Sequence, residues 1–187
     1  MMWKKFCNWL LYKRWGWAAN ITESHPDKYI ICLAPHTSNW DFVLGQLYAG
    51  AQGIRSNFLM KREWFVWPLG ALFRRMGGIP VYRQKHTSMT DSMAETAKKV
   101  QEFHLCITPE GTRSPNPDWK KGFYFIALKA GLPILLYGLD YEQRLIQCTK
   151  TIVPNGDIES QMREIKLYYK DFRGKHPENF EIGELRD

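Results

Sequence analysis

The chain holds 187 residues, 44% of them hydrophobic and 24% charged, which suits one domain with a sizeable core. Lysine and arginine number 26 against 19 acidic residues, a formal charge of +7 that points to anionic partners: nucleic acid, an anionic membrane surface or phosphorylated substrates. No apolar run approaches the roughly 20 residues needed to span a bilayer.

Residues 1–19 form a Trp-rich, basic segment. Trp3, Phe6, Leu10, Lys13 and Trp17 recur at spacings of three and four, as on one face of a helix, and Leu11 and Trp15 widen the stripe. Lys4, Lys5, Lys13 and Arg14 interrupt its apolar character, so it does not read as a secretory signal. Two compatible readings fit. Indole rings with cations suit an amphipathic helix lying in an anionic lipid surface. The same stripe suits a helix docked on its own domain. With the polar link after it, this segment is set apart as residues 1–24, and residues 25–187 are read as the rest of the fold.

Tyr29 to Ala34 reads as a buried strand, and Asp41 to about Gly50 as a helix. Ser56 to Met60 is a short strand. Pro68 divides the aromatic stretch Arg62 to Met76, and Ile79 to Tyr82 is a strand. Ser88 with Asp91 resembles a capping box opening a helix to about His104. Leu105 to Thr108 is a strand, Gly122 to Ala130 a helix ended by Gly131, and Pro133 to Leu139 a strand. Gln143 to Val153 reads as an edge strand and Ile158 to Phe172 as an amphipathic helix. The last fifteen residues are expected to be loosely held. Strands alternate with helices, so the expected class is α/β: a single domain, a mostly parallel central sheet, helices on both faces, and the N-terminal amphipathic helix.

The chemistry concentrates at strand ends. His36 lies in the turn after Tyr29–Ala34, and Asp41 stands five residues on. Five positions within one helix would put the two on different faces. They can meet only if His36 lies in the turn and Asp41 in the first turn of the helix. A carboxylate there would fix the imidazole tautomer and leave the other nitrogen free to take a proton. Arg83 stands just past a second strand, and Pro109-Glu110-Gly111-Thr112-Arg113-Ser114 just past a third. Parallel strands would open all three junctions at one sheet edge, placing a proton acceptor and two guanidinium forks in one cleft. Gly111 would let backbone approach a ligand closely.

These residues resemble the motifs of the glycerolipid acyltransferase family, typified by 1-acylglycerol-3-phosphate (lysophosphatidate) acyltransferases. His36-Thr-Ser-Asn-Trp-Asp41 is similar to the family's first block. Phe58-Leu-Met-Lys61-Arg-Glu63 with Gly78-Ile-Pro-Val-Tyr-Arg83 resembles the second, and Pro109-Glu-Gly-Thr-Arg-Ser114 the third. The segment into the fourth block is similar at Gly131-Leu-Pro133, but Leu136 stands near a place where the family often has a further proline. The resemblance runs from about residue 29 to 141.

The resemblance implies an O-acyltransferase. His36 would act as general base, oriented by Asp41, on the free hydroxyl of a lysoglycerolipid phosphate. The acyl group would come from a thioester co-substrate, acyl-CoA or acyl carrier protein, with no cofactor and no metal. Lys61, Arg83, Glu110, Gly111, Thr112 and Arg113 would form the substrate site. The cations would hold phosphate, although Lys61 equally suits a solvated lysine, and Glu110 would bind acceptor hydroxyls or fix an arginine. The expected setting is the cytoplasmic face of a membrane, peripheral or monotopic, with no transmembrane span. Two alternatives stay open: another lyso-acceptor such as an aminolipid, or a non-catalytic protein binding anionic lipid. No nucleic acid is expected, since Lys and Arg are scattered without a basic reading helix. The four cysteines, Cys7, Cys32, Cys106 and Cys148, show no Cys-x-x-Cys and read as buried thiols in a reducing compartment.

Overall fold

Strand β2, Lys28–Ala34, is the axis of the molecule. Its side chains alternate between two cores, Ile30, Cys32 and Ala34 in one, Tyr29 and Leu33 in the other. A strand apolar on both faces belongs inside a parallel sheet covered on both sides. The computed structural model describes residues 2–81 and 89–183, with all of their side chains except those of Met60, Lys61 and Val81.

Strand β2 pairs in parallel with β5 (Phe103–Ile107) on one side and β6 (Ile134–Asp140) on the other. Beyond β5 the parallel sheet continues through β3 (Asn57–Lys61) to β4 (Gly78–Val81). Beyond β6 the sense reverses: β7 (Leu145–Cys148) and β8 (Thr151–Ile152) run antiparallel to it. Strand β1 (Ala18–Ile21) closes that side, parallel to β7. The C-terminal ends of β2 to β6 therefore share one edge of the sheet.

Helices α4 (Met89–Lys99), α5 (Gly122–Ala130) and α6 (Ile158–Tyr169) cover one face, around Phe123, Tyr124, Ile165 and Tyr169. The other face carries α1 (Met2–Asn8), a π-helical turn over Trp9–Arg14, and α2 (Asn39–Gln52). Short helix α3 (Leu69–Arg75) follows β3. Phe65, in the connection to it, packs over Gly78 beside Phe58, and Phe58 meets Phe42 of α2 edge-on. This connection therefore lies on the α2 side. The α/β class with a mostly parallel sheet is as the alternation implied.

Several details differ from the sequence reading. Ala18–Ile21 is a strand, not a helix end and link, and it displaces the 143–153 segment from the edge. That segment is two strands, split at Thr149-Lys150. Helix α4 ends at Lys99 because pairing with β2 already begins at Phe103. The residues from Arg173 to Gly183 are held down. The backbone N–H of His176 donates to Thr37 Oγ1, Trp119 Nε1 donates to the carbonyl of Glu181, and Phe180 and Ile182 pack on the core. At Leu136 the backbone N–H donates to the carbonyl of Lys150, a bond that a proline would lack. Ser88, and with it the expected capping box, lies outside the described residues.

Candidate active site

The turn after β2 becomes a helix at Asn39, with Ser38 as N-cap. Ser38 Oγ accepts from the Trp40 N–H at 3.2 Å, and Asp41 reaches back to the cap as in a capping box. The fold-back brings Asp41 beneath His36. Asp41 Oδ2 lies 3.1 Å from His36 Nδ1 and accepts the N–H groups of Thr37 and Ser38, each at 2.8 Å. Oδ2 acts as an acceptor toward both backbone N–H groups, so Nδ1 is the donor to it and Nε2 keeps its lone pair. The Asp41 side chain is fully buried while the imidazole is 20% exposed, so one end of the pair is locked and the other faces outward.

Glu110, just past β5, approaches from the other side. Its Oε1 accepts the backbone N–H of His36 at 2.7 Å. Burial pushes its pKa from an ordinary 4.5 up to about 8; that hydrogen bond opposes the shift and the nearby Asp41 adds to it. Among the described residues, the carboxylate of Glu110 is thus bonded to the histidine's own backbone. Gly111 follows with φ of +67°, a left-handed turn, and the stem of Lys120 lies over it. Thr112 Oγ1 accepts from the Ser114 N–H at 3.2 Å, shaping the turn. Arg113 is exposed and donates through Nη1 to the side-chain oxygen of Asn39, at the start of α2.

His36, Asp41, Glu110, Gly111, Thr112 and Arg113 are therefore brought together. Lys61 ends β3 at the same edge, but its side chain is outside the described set. Arg83 lies outside the described residues. Two residues absent from the sequence reading also belong here. Tyr141, one residue past β6, donates its hydroxyl to Asp41 Oδ1 at 2.6 Å. Reading the fourth strand end as the first three were read would have found it. Gly174, far along the chain, lies so close to the loop that a Cβ there would stand 2.7 Å from Thr37 Oγ1. No local signal marks it.

The acyltransferase family model matches residues 18–137, more than half of the chain and the whole of this site up to β6. The chain belongs to the acyltransferase family. The acyltransferase is also similar in fold to the crystal structure of the 1-acyl-sn-glycerophosphate (LPA) acyltransferase PlsC from Thermotoga maritima. The TM-score is 0.64 at 18% identity, covering 90% of this chain and 76% of that one. No curated protein matches the sequence. Beside its His–Asp pair the acyltransferase has an apolar cavity of about 80 Å³ between α2 and the sheet, bounded by Leu33, Asp41, Phe42, Gly45, Phe58 and Leu139. A Cβ at Gly45 would meet nothing within 4 Å.

Proposed function

We propose that the protein transfers a fatty acyl group from a thioester, acyl-CoA or acyl carrier protein, to the free hydroxyl of a lysoglycerolipid phosphate. The observation that carries this reading is the imidazole of His36, braced by a buried carboxylate at Nδ1 and open at Nε2, in a chain of the acyltransferase family.

His36 Nε2 takes the hydroxyl proton as the oxygen attacks the thioester carbonyl. The C–O bond forms, the C–S bond breaks, and the proton passes from the imidazolium to the leaving thiolate. Asp41 holds the tautomer and balances the imidazolium charge. Base catalysis of this kind contributes about 10²- to 10⁴-fold, and positioning supplies more. Arg113, at the mouth beside α2, supplies a fork of donors for the acceptor phosphate. Lys61 and Arg83 are assigned the same task from their motif positions. Glu110 keeps the backbone of His36 in place. The apolar cavity beside Asp41 offers the start of an acyl-chain path.

The acceptor of this reaction is a membrane lipid. Among the described residues no helix is long and apolar enough to cross a membrane. Trp3 and Phe6 on α1, Trp9 at the start of the π-helical turn, and Trp64, Val66 and Trp67 after β3 are exposed on the α2 side, among basic residues. This face suits peripheral contact with an anionic bilayer.

The test is thiol release from acyl-CoA and from acyl carrier protein, with lipid vesicles, against a panel of lyso-acceptors. Release that requires lysophosphatidate supports the reading. Release only with an aminolipid acceptor replaces the acceptor. Binding to vesicles without release under any acceptor rejects transfer.

A further inference from the structure

Asp41 is held unevenly. Oδ2 faces three donors, His36 Nδ1 and the N–H groups of Thr37 and Ser38. The donor given to Oδ1 is Tyr141, from the far end of β6, a hundred residues along the chain. Asp41 is fully buried, so bulk water does not take the place of a missing partner.

Tyr141 is itself fixed. Its backbone N–H donates to the carbonyl of Arg173 at 2.8 Å. Its ring meets buried Trp17 edge-on, with centroids 5.1 Å apart and planes at 88°. Burial, with the adjacent Asp41, pushes its phenol well above the ordinary tyrosine pKa, so the hydroxyl stays a donor at any working pH.

We propose that Tyr141 is a positioning residue for the acyl transfer: its hydroxyl pins Asp41 Oδ1, which keeps Oδ2 on His36 Nδ1, and it shares the charge of the carboxylate. This rests on the reading of His36 as the base. Without the hydroxyl the carboxylate can turn about its last torsion, and its undivided charge favours the imidazolium over the neutral ring that must accept a proton.

Tyr141→Phe tests this, because it keeps the ring, the Trp17 contact and the backbone bond. The expected result is a fall in kcat of about 10-fold, the lower end of what losing an orienting partner costs at metal-bound ligands. KM for donor and acceptor should hold, and the acid limb of the kcat–pH profile should move to higher pH. In an Asp41→Asn background the same substitution should change kcat little, since the two act through one carboxylate. His36→Ala, run alongside, separates the failures. Full turnover by His36→Ala removes the base reading and this proposal with it. If His36→Ala is inactive while Tyr141→Phe keeps the native kcat and acid limb, whatever its Tm, Tyr141 only packs and the proposal is overturned.

Discussion

The turn after β2 and the turn after β3 leave the same edge of the sheet and are built in opposite ways. In the first, the charge is enclosed: Asp41 is fully buried and accepts from His36, Thr37, Ser38 and Tyr141. In the second, apolar surface is left out: Trp64 is 55% and Trp67 90% exposed, with Val66, Leu69 and Leu72 exposed beside them. Enclosure fixes a tautomer and a geometry, which proton transfer needs. Uncovered indole beside cations has no stabilising role in the fold, and it suits a surface that an anionic bilayer completes. Under the proposed function, one edge thus carries the reactive histidine and, next to it, a place to meet the membrane that holds the acceptor.

The sharpest way to break the first half of this contrast is Asp41→Asn. The amide keeps the size but cannot accept on both atoms, and the tautomer of His36 is no longer enforced. Turnover should drop about 10³- to 10⁴-fold, as in other His–carboxylate pairs, read as thiol release by a protein whose circular dichroism is unchanged. Weaker acceptance of the Thr37 and Ser38 N–H groups by the neutral amide should also lower stability by about 1 kcal/mol in denaturant titrations.

The second half is sharpened by Trp64→Ala with Trp67→Ala. Partition to anionic vesicles should weaken by roughly 10-fold or more, given about 1.5–3 kcal/mol for burying one large apolar side chain. Stability should change by less than about 0.5 kcal/mol, because both rings are exposed. Unchanged partition with a lowered Tm would make them structural after all.

A further effect concerns Glu110. Its pKa rises from 4.5 to about 8 in the folded state, so the folded chain binds that proton more tightly than the unfolded chain. The stability it contributes is complete below about pH 4.5 and is lost as pH rises to about 8. Glu110→Gln should flatten that slope in melting curves taken across this window. It should leave the His36 backbone bond with a neutral acceptor.

Much of this was legible in the sequence, for reasons that differ by residue. Continuous apolar runs such as Tyr29 to Ala34 mark buried strands well, because both faces must be covered. Ala18–Ile21 gave no such mark: it is an exposed edge strand, three of its four residues facing solvent, and only pairing with β7 makes it one. Spacing and helix geometry allowed His36 to meet Asp41 only with His36 in the turn and Asp41 in the first helical turn, and that is the arrangement the structure has. The contribution of Tyr141 was not legible in this way, since nothing local ties residue 141 to residue 41; the topology of β2 beside β6 does. The C-terminal segment read as loose because its sequence is polar, yet its hold on the site runs through backbone groups at Arg173 and His176 and the bare Cα of Gly174. The N-terminal stripe divided: Leu11 and Trp17 went inward and Trp3 and Phe6 outward.

The central claim is that the Nε2 atom of His36 removes the proton from a lipid hydroxyl. Acceptor-dependent thiol release by His36→Ala, measured beside the native protein at equal Tm, tests it most directly. A fall of at least about 10²-fold is expected, with unaltered vesicle binding. Native turnover by the folded variant would contradict it.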